Sequence, residues 1–499
     1  MSSLIGENDR KIVPRWRGFR ASVGKTENTD PPNENPVSAS LQSNIGDWQR
    51  EGSLWTALDL VAGAIVENRL DLAGEALQHI RENPLTPPAA LAIVVEYDRN
   101  SAIDENSDLP VELRCREQIR SSRIKLADYP YDAIEWIDLA RSFTTLGSLG
   151  KAQRCVAAAL SLAPSDVFVL RAASRFYIQQ KDPERAQWIL TKAPRTLNNP
   201  WLLASEIAAA SVVGRESQLL KIAGRIERSD FSQEDLTELR AALATSEIEA
   251  GSNNKGKKLL RRALSGANEN SLAQIQWMDR TRLGNVIDIS NTKPPHGHEV
   301  SAWRAFFNGK WAKSAASALL WFEDQPFSAN AGIFCSFVLA DLAGLPEQAL
   351  DILKIALRAN VDNHTLKNNL AFSYIQLERL DEAQDVLASI PTSLDNLDDA
   401  TVEATFGLLA FRKGSLEDGR AYYENAIRRF QQAGSHELAG RAATYLALEE
   451  VRARTQNAPS AMKRALDLTK DNKRSDVAMK LEELQTKVKD WLIEEHVIT

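Results

Sequence analysis

A few short stretches of this chain have residue types that could carry chemistry, and the first resembles a phosphate-binding loop. Residues 251–258 read GSNNKGKK, in which two glycines and three lysines suggest a loop that cradles a phosphate through its backbone amides. However, Lys258 stands where a serine or threonine must bind magnesium, and a helical pattern precedes the loop where a strand is required. We therefore expect no nucleotide site here.

Histidines and cysteines give no stronger signal. His296 and His298 could bind a metal ion with a nearby carboxylate, but loop histidines are common, and no HExxH or GxSxG motif is present. Three well-separated cysteines, without a CxxC pair, favour buried free thiols over a zinc site or disulfides: Cys115, Cys155 and Cys335. We predict a non-enzymatic protein without a metal or cofactor, in a reducing compartment.

Composition narrows the class of protein further. The 499 residues are 43% hydrophobic and 25% charged, as in ordinary folded domains, and the net charge of -7 lacks the basic excess of most nucleic-acid-binding proteins. No segment has the apolar core of a signal peptide or the roughly 18 apolar residues that would cross a bilayer. We therefore predict a cytoplasmic protein with no membrane partner.

The N-terminal segment is the sharpest candidate for binding. Basic residues surround two aromatic residues there, namely Arg10, Lys11, Arg15, Trp16, Arg17, Phe19 and Arg20. Such a segment binds nucleic acid by phosphate contact and base stacking, docks on a protein partner, folds back onto its own chain, or is a solvated tail. The sequence leaves these alternatives open.

The helices that the sequence predicts follow a repeat of about 34 residues. Between Ala133 and Asp166, two amphipathic helical patterns flank Gly147, and Pro164 ends the second. The small residue that opens the second helix recurs as Ala152, Ala186, Gly256, Ser314, Ala349, Ala383 and Gly419. Seven residues later stand Ala159, Ala193, Ala263, Trp321, Ala356, Ile390 and Ala426. A turn glycine precedes five of the copies as Gly147, Gly251, Gly309, Gly344 and Gly414. This register also accounts for both glycines of the apparent phosphate loop.

The spacing resembles the tetratricopeptide repeat (TPR) superfamily. The resemblance implies an all-α, right-handed superhelical solenoid of about ten helical hairpins, with a groove lined by the first helices. The groove positions of that family fall here on Ile137, Arg141, Phe168, Arg171 and Arg175, with Asn368 on a later first helix. Because guanidinium groups hold carboxylates, we expect this groove to bind an acidic or C-terminal peptide, unless the arginines pair with neighbouring Asp and Glu.

Segments outside the repeats suggest a domain organisation. We predict a disordered arm and linker over 1–47, an N-terminal block over 48–283, an irregular connection over 284–297, and a C-terminal block over 298–470. Residues 471–499 predict a helix that caps the array, and its apolar seam could alternatively support self-association: Val477, Leu481, Leu484, Val488 and Trp491.

Together these features predict a scaffold or regulatory adaptor that binds an unidentified protein partner in the groove. The alternative is a nucleic-acid-associated subunit whose arm contacts DNA or RNA, with the solenoid as a platform.

Overall fold

The computed structural model describes residues 10–18, 37, 39–66, 69–84, 86, 94, 110–391, 397–470 and 475–498. Over these residues the chain forms 24 α-helices and no strand. The predicted all-α class, an array of helical hairpins, is confirmed.

The chain divides into two compact units, residues 18–118 and residues 1–17 with 119–499, and the boundary at 118 falls inside α4. The helices of the smaller unit are α1 (Ala39–Glu51), α2 (Leu54–Val66), α3 (Gly74–Glu82) and the start of α4 (Val111–Asp128). Its helices pack on a core of their own, which includes the buried residues Leu60, Ala73, Leu77 and Ile80.

The larger unit contains nine successive helical hairpins over its described residues. They are α5 (Ala133–Thr145) with α6 (Leu149–Leu162), α7 (Val167–Gln179) with α8 (Pro183–Lys192), α9 (Pro200–Val213) with α10 (Leu220–Ile226), α11 (Gln233–Glu249) with α12 (Asn253–Leu264), α14 (His298–Phe307) with α15 (Trp311–Asp324), α16 (Ala329–Phe337) with α17 (Pro346–Ala359), α18 (His364–Gln376) with α19 (Leu380–Ala388), α20 (Leu397–Arg412) with α21 (Leu416–Gln432), and α22 (His436–Arg452) with α23 (Ala458–Thr469). A single helix, α13 (Glu269–Met278), interrupts the pairing, and α24 (Ser475–Ile498) ends the unit.

Local chemistry explains where the helices begin and turn. The Asp132 carboxylate accepts the backbone N–H of Glu135 at 3.0 Å and caps α5, and Asp166, Asp182 and Asn363 cap later helices in the same way. All five turn glycines have positive φ, from 65° at Gly309 to 86° at Gly414. Only glycine adopts this conformation without a steric cost.

The repeat register is confirmed by packing. Each small residue that opens a second helix lies in helix–helix contact, and a Cβ on Gly256 would overlap the Ile248 side chain of the preceding helix. The residues seven positions later are all buried, including the bulkier Trp321 and Ile390. Residues 251–258 therefore form a turn and the start of α12, and the glycines of the apparent phosphate loop serve helix packing.

The array of the larger unit curls until distant hairpins touch. A Cβ on Gly147 would overlap the carbonyl oxygen of Arg358, and Gln179 Nε2 donates to Asn360 Oδ1 at 2.6 Å. These contacts join the first two hairpins to the end of α17. We call the surface that the first helices of the larger unit form the inner face.

The structure differs from the predicted disorder over 1–47 in two places. Residues 10–17 are extended and packed on the larger unit, and α1 already begins at Ala39. A short segment that gains its burial from distant helices has no local pattern that shows this burial, so the sequence left folding back as one of four alternatives.

The apolar seam of α24 packs against the last hairpins. Val477 and Leu484 are buried, while Leu481 and Val488 pack against the core of α20 to α23. Trp491, the fifth seam residue, has no described side chain. Because the four described residues contact this chain, the seam is occupied within the molecule.

Candidate functional site

Residues 10–17, which we call the arm, run in an extended conformation along the inner face of the larger unit. Alternate arm residues are buried: Ile12 is 2% exposed, Trp16 is fully buried, and Pro14 lies buried between them. Three of the four arm cations, Lys11, Arg15 and Arg17, stand at the positions that alternate with these three. One edge of the arm is therefore apolar and the other is basic.

The Trp16 indole fills an aromatic pocket made by two distant hairpins. Its ring centroid lies 6.2 Å from that of Phe176 in an edge-on arrangement and 5.4 Å from that of Phe327. The indole N–H is buried without an acceptor. The pocket therefore recognises the ring by packing and not by a hydrogen bond.

Four arm cations meet four carboxylates of the solenoid. Arg10 Nε lies 2.8 Å from Glu299 Oε1, and Arg15 pairs with the other oxygen of the same carboxylate. Arg17 bridges Glu269 Oε1 and Asp324 Oδ2, each at 2.7 Å. Lys11 pairs with Glu249. The arm and its site are thus matched in charge, four against four.

Glu299 is the electrostatic centre of this arrangement. Burial by itself raises the pKa of the Glu299 carboxyl, but Arg10 and Arg15 lower it to about 2. Burial likewise acts to raise the pKa of Asp324, and hydrogen bonds and charge from Arg17, with Arg15 and Arg141, lower it below its usual value. Both carboxylates are therefore stabilised in their charged form by the arm.

Side chains of the solenoid also donate hydrogen bonds to backbone carbonyls of the arm. Gln274 Nε2 donates to the carbonyl of Arg10 at 2.9 Å, Asn270 Nδ2 to that of Val13 at 3.0 Å, and Arg141 Nε to that of Trp16 at 3.1 Å. These carbonyls are available because the arm is extended, whereas a helix would use them internally. The site therefore selects an extended segment.

The lone helix α13 supplies much of this recognition. Asn270 and Gln274 lie one turn apart, and both accept from Arg10, Gln274 Oε1 at 2.7 Å and Asn270 Oδ1 at 3.1 Å. From Asn270 to Met278 every residue of α13 is buried, including polar ones. Buried amides require partners, and the arm provides them.

The predicted groove residues have different positions. Ile137 is completely buried in the core of the first hairpins, and Phe168 packs partly buried against that core. Because the array curls on itself, α5 is covered on more than one side, and the expected groove position of Ile137 lies inside the protein.

The predicted arginines are engaged within the chain. Arg141 reaches the arm and donates to the carbonyl of Asp324 at 2.8 Å. Arg171 pairs with Glu238 at 2.9 Å and lies over the Trp201 ring. Arg175 lies over Phe327, and burial, with the charges of Arg15 and Arg10, lowers its pKa to about 10.

Asn368 lies apart from the arm, in the wall of a cavity between the later hairpins. Phe19 and Arg20 lie outside the described residues. The structure thus brings the arm and Arg141 together, and the sequence interpretation missed the acceptors of the arm cations: Glu249, Glu269, Asn270, Gln274, Glu299 and Asp324.

The described residues contain neither a metal-binding cluster nor a membrane-spanning helix. No three His, Cys, Asp or Glu side chains there are grouped so as to hold a metal ion. In the same part of the chain, no helix combines the length and apolarity needed to cross a membrane.

Comparisons with known proteins give only a distant likeness. No family model and no curated protein matches this chain. Solved structures of IFIT1 are similar at low identity. The human IFIT1 dimer with PPP-AAAA is 13% identical, with a TM-score of 0.31 over 91% of this chain and 96% of that chain. The human dimer with m7Gppp-AAAA is 12% identical, with a TM-score of 0.30 over 93% and 96%. Because these scores are low, no ligand is carried over to this chain.

Proposed function

We propose that this chain is a protein-interaction module whose inner face holds extended, basic segments with an aromatic anchor, and that its own arm occupies this site. The observation that carries the proposal is the docked arm itself. Its four cations, its buried ring and three of its carbonyls all meet complementary groups.

The proposed ligand is positively charged, whereas the sequence led us to expect an acidic one. The arginines of the first hairpins suggested an acidic partner, but they contact carbonyls, an aromatic ring and Glu238. The groups that pair with the arm cations are carboxylates. A partner segment that replaces the arm would therefore be basic.

A partner would have to compete with a tethered segment. The arm is joined to the larger unit through the same chain, so its effective concentration at the site is high. We accordingly propose a regulatory adaptor in which a partner of similar chemistry, at a higher local concentration, displaces the arm.

The test uses the whole protein with a protease site inserted between residues 22 and 35. After cleavage, the arm should remain bound and be released on dilution or by an excess of a peptide of residues 8–18. A peptide with Trp16 replaced by Ala should compete at least 100-fold less well, since an aromatic anchor contributes about 3 kcal/mol or more. A cut arm that never exchanges, even with excess peptide, would show a permanent structural element and contradict the proposal.

The same preparation tests the nucleic-acid alternative. The arm cations must leave their carboxylates before they can bind phosphates. Generic RNA that displaces the cut arm with a steep salt dependence would favour the alternative. Displacement by the basic peptide alone supports the adaptor.

A further inference from the structure

The second helices of two neighbouring hairpins, α10 and α12, carry an excess of positive charge. Residues 220–229 and 253–265 together contain eight Lys or Arg residues and one acidic residue, Glu227, although the whole chain has a net charge of -7. Salt screens exposed charges beyond about 8 Å at physiological ionic strength. A ligand close to these two helices therefore meets their own positive charge and not the average of the chain.

Contacts at the C-terminal ends of α10 and α12 join the two helices. Glu227, directly after α10, lies 2.8 Å from Nη1 of Arg262 in the last turn of α12. Arg240 of α11 donates to the same buried carboxylate at 3.1 Å and to the carbonyl of Arg262 at 3.3 Å. The cations of both helices thus belong to one surface, and its single carboxylate is already paired with two arginines.

Six of the eight cations have no partner. Lys255 pairs with Glu247 at 2.5 Å, and Arg262 pairs with Glu227. For the other six, no residue that the structure describes supplies an ion pair or a side-chain hydrogen bond. Five of them are exposed and Lys257 is half-buried. We call these six residues the basic face: Lys221, Arg225, Arg228, Lys257, Lys258 and Arg261.

Helix electrostatics explain only part of the basic face. A cation in the last turn of a helix is favourable, which accounts for Arg225 and Arg261. Lys257 and Lys258 lie a turn earlier in α12, and Lys257 stands four residues before Arg261. Like charges at this spacing repel each other and destabilise a helix. A bound polyanion would remove this repulsion.

The sequences of the two helices indicate the kind of polyanion. Neither LKIAGRI nor NNKGKKLLRRAL contains an aromatic residue on which unpaired bases could stack. Their apolar residues are turned inward: Leu260 is buried, and Leu220 and Ile222 pack against the core. Neither helix therefore offers the apolar face that inserts into a membrane surface.

A duplex fits these features better than a flexible anion does. Its phosphates stand on a rigid backbone, whereas an acidic polypeptide must lose conformational entropy when it is ordered on the protein. Lysine and arginine contacts to phosphates supply binding that does not depend on base sequence, and each neutralised phosphate releases counterions.

We infer that the basic face binds the phosphate backbone of a nucleic-acid duplex without reading its sequence. This site goes beyond the proposed function, because the basic face shares no residue with the arm or with the acceptors of the arm. It places the contact with nucleic acid on cations that have no partner in the described part of the chain, whereas the arm cations are paired. The arm stays docked while the duplex is bound.

The test measures binding of the full-length protein to a fluorescent DNA duplex of about 20 base pairs by anisotropy, at roughly 50 to 300 mM salt. The logarithm of the binding constant should fall against the logarithm of the salt concentration with a slope of about -5, as six phosphate contacts give. Substituting Lys257→Gln, Lys258→Gln and Arg261→Gln together should make this slope shallower by about 3 and weaken binding roughly 100-fold at physiological salt. Glutamine is a good helix former, so α12 should persist.

A matched control removes three exposed cations from other second helices, by Lys313→Gln, Arg428→Gln and Lys463→Gln. It changes the net charge equally and should leave the slope and the affinity as in the wild type. Equal losses in the two triple variants, or no binding of the duplex by the wild type, would overturn the basic face as a site. A single-stranded oligonucleotide or polyglutamate that binds the basic face more tightly than the duplex would overturn the assignment to a duplex.

Discussion

The early and late parts of the inner face differ in what their charged groups pair with. Around the arm, carboxylates and amides of several hairpins converge on one segment, and each arm cation has an acceptor. In the cavity among the later hairpins, the charges pair with one another and Asn368 Oδ1 has no partner. The same repeat thus surrounds the docked arm in one part and a cavity in another, and the difference lies in a few side chains and not in the backbone.

The largest effect should come from removing the aromatic anchor. Trp16→Ala leaves a cavity between Phe176 and Phe327, so we expect the free energy of unfolding to fall by about 3–5 kcal/mol. Chemical denaturation measures it. Trp16→Phe is the matched control and should lose much less, because the indole N–H has no acceptor. Equal losses would show that the N–H is recognised after all.

The second largest effect should come from acid, which should weaken the binding of the arm to its site. The pKa of Glu299 is about 2 in the folded protein, against an ordinary 4.5, so its contribution is complete above pH 4.5 and is lost as pH falls towards 2. The shift corresponds to about 3 kcal/mol. The free energy of unfolding, measured between pH 6 and pH 2.5, should decline more steeply for the wild type than for Glu299→Gln. Parallel curves would contradict this role of Glu299.

The third effect concerns the contact between the first hairpin and α17. Gly147→Ala combines a positive φ with overlap on the Arg358 carbonyl, and we expect a loss of about 2–3 kcal/mol. Gly214→Ala shares the positive φ but meets no neighbour, and it should cost only about 1 kcal/mol. Similar melting temperatures for the two variants would argue that the early hairpins do not press against α17.

The smallest effect compares one substitution at both sites. Asn270→Leu removes amide contacts to Val13 and Arg10 and should destabilise the protein by about 1–3 kcal/mol. Asn368→Leu removes an unpartnered acceptor and should be close to neutral, within about 0.5 kcal/mol, or stabilising. Thermal unfolding of both variants measures the contrast. A larger loss at Asn368 would indicate a partner inside the chain.

The fold could be predicted from the sequence because the residues that determine it act locally. The small residues, the positive-φ glycines and the capping Asp132 each act within one hairpin, so their spacing survives in the sequence. The carboxylates of the site could not be predicted in the same way. Its carboxylates come from α11, α13, α14 and the end of α15, and only the curl of the array brings them together.

Two signals in the sequence nevertheless indicated the site. One is the basic and aromatic arm, which the repeat does not explain. The other is α13, where Asn270, Gln274 and Gln276 interrupt an apolar pattern on all sides and therefore predict buried amides that need partners. The acidic ligand stays an untested prediction, and the arm favours a basic one, because the sequence register showed the arginines but not the carboxylates that pair with the arm.

The most direct test of the docked arm is a double-mutant cycle between Arg17 and Asp324, which are 307 positions apart and joined by two hydrogen bonds. The free energy of unfolding is measured for Arg17→Met, Asp324→Asn, the double variant and the wild type. We predict a coupling energy of about 1–3 kcal/mol, because the pair is largely buried. A coupling energy near zero would mean that the arm does not lie on the inner face, and it would contradict the account.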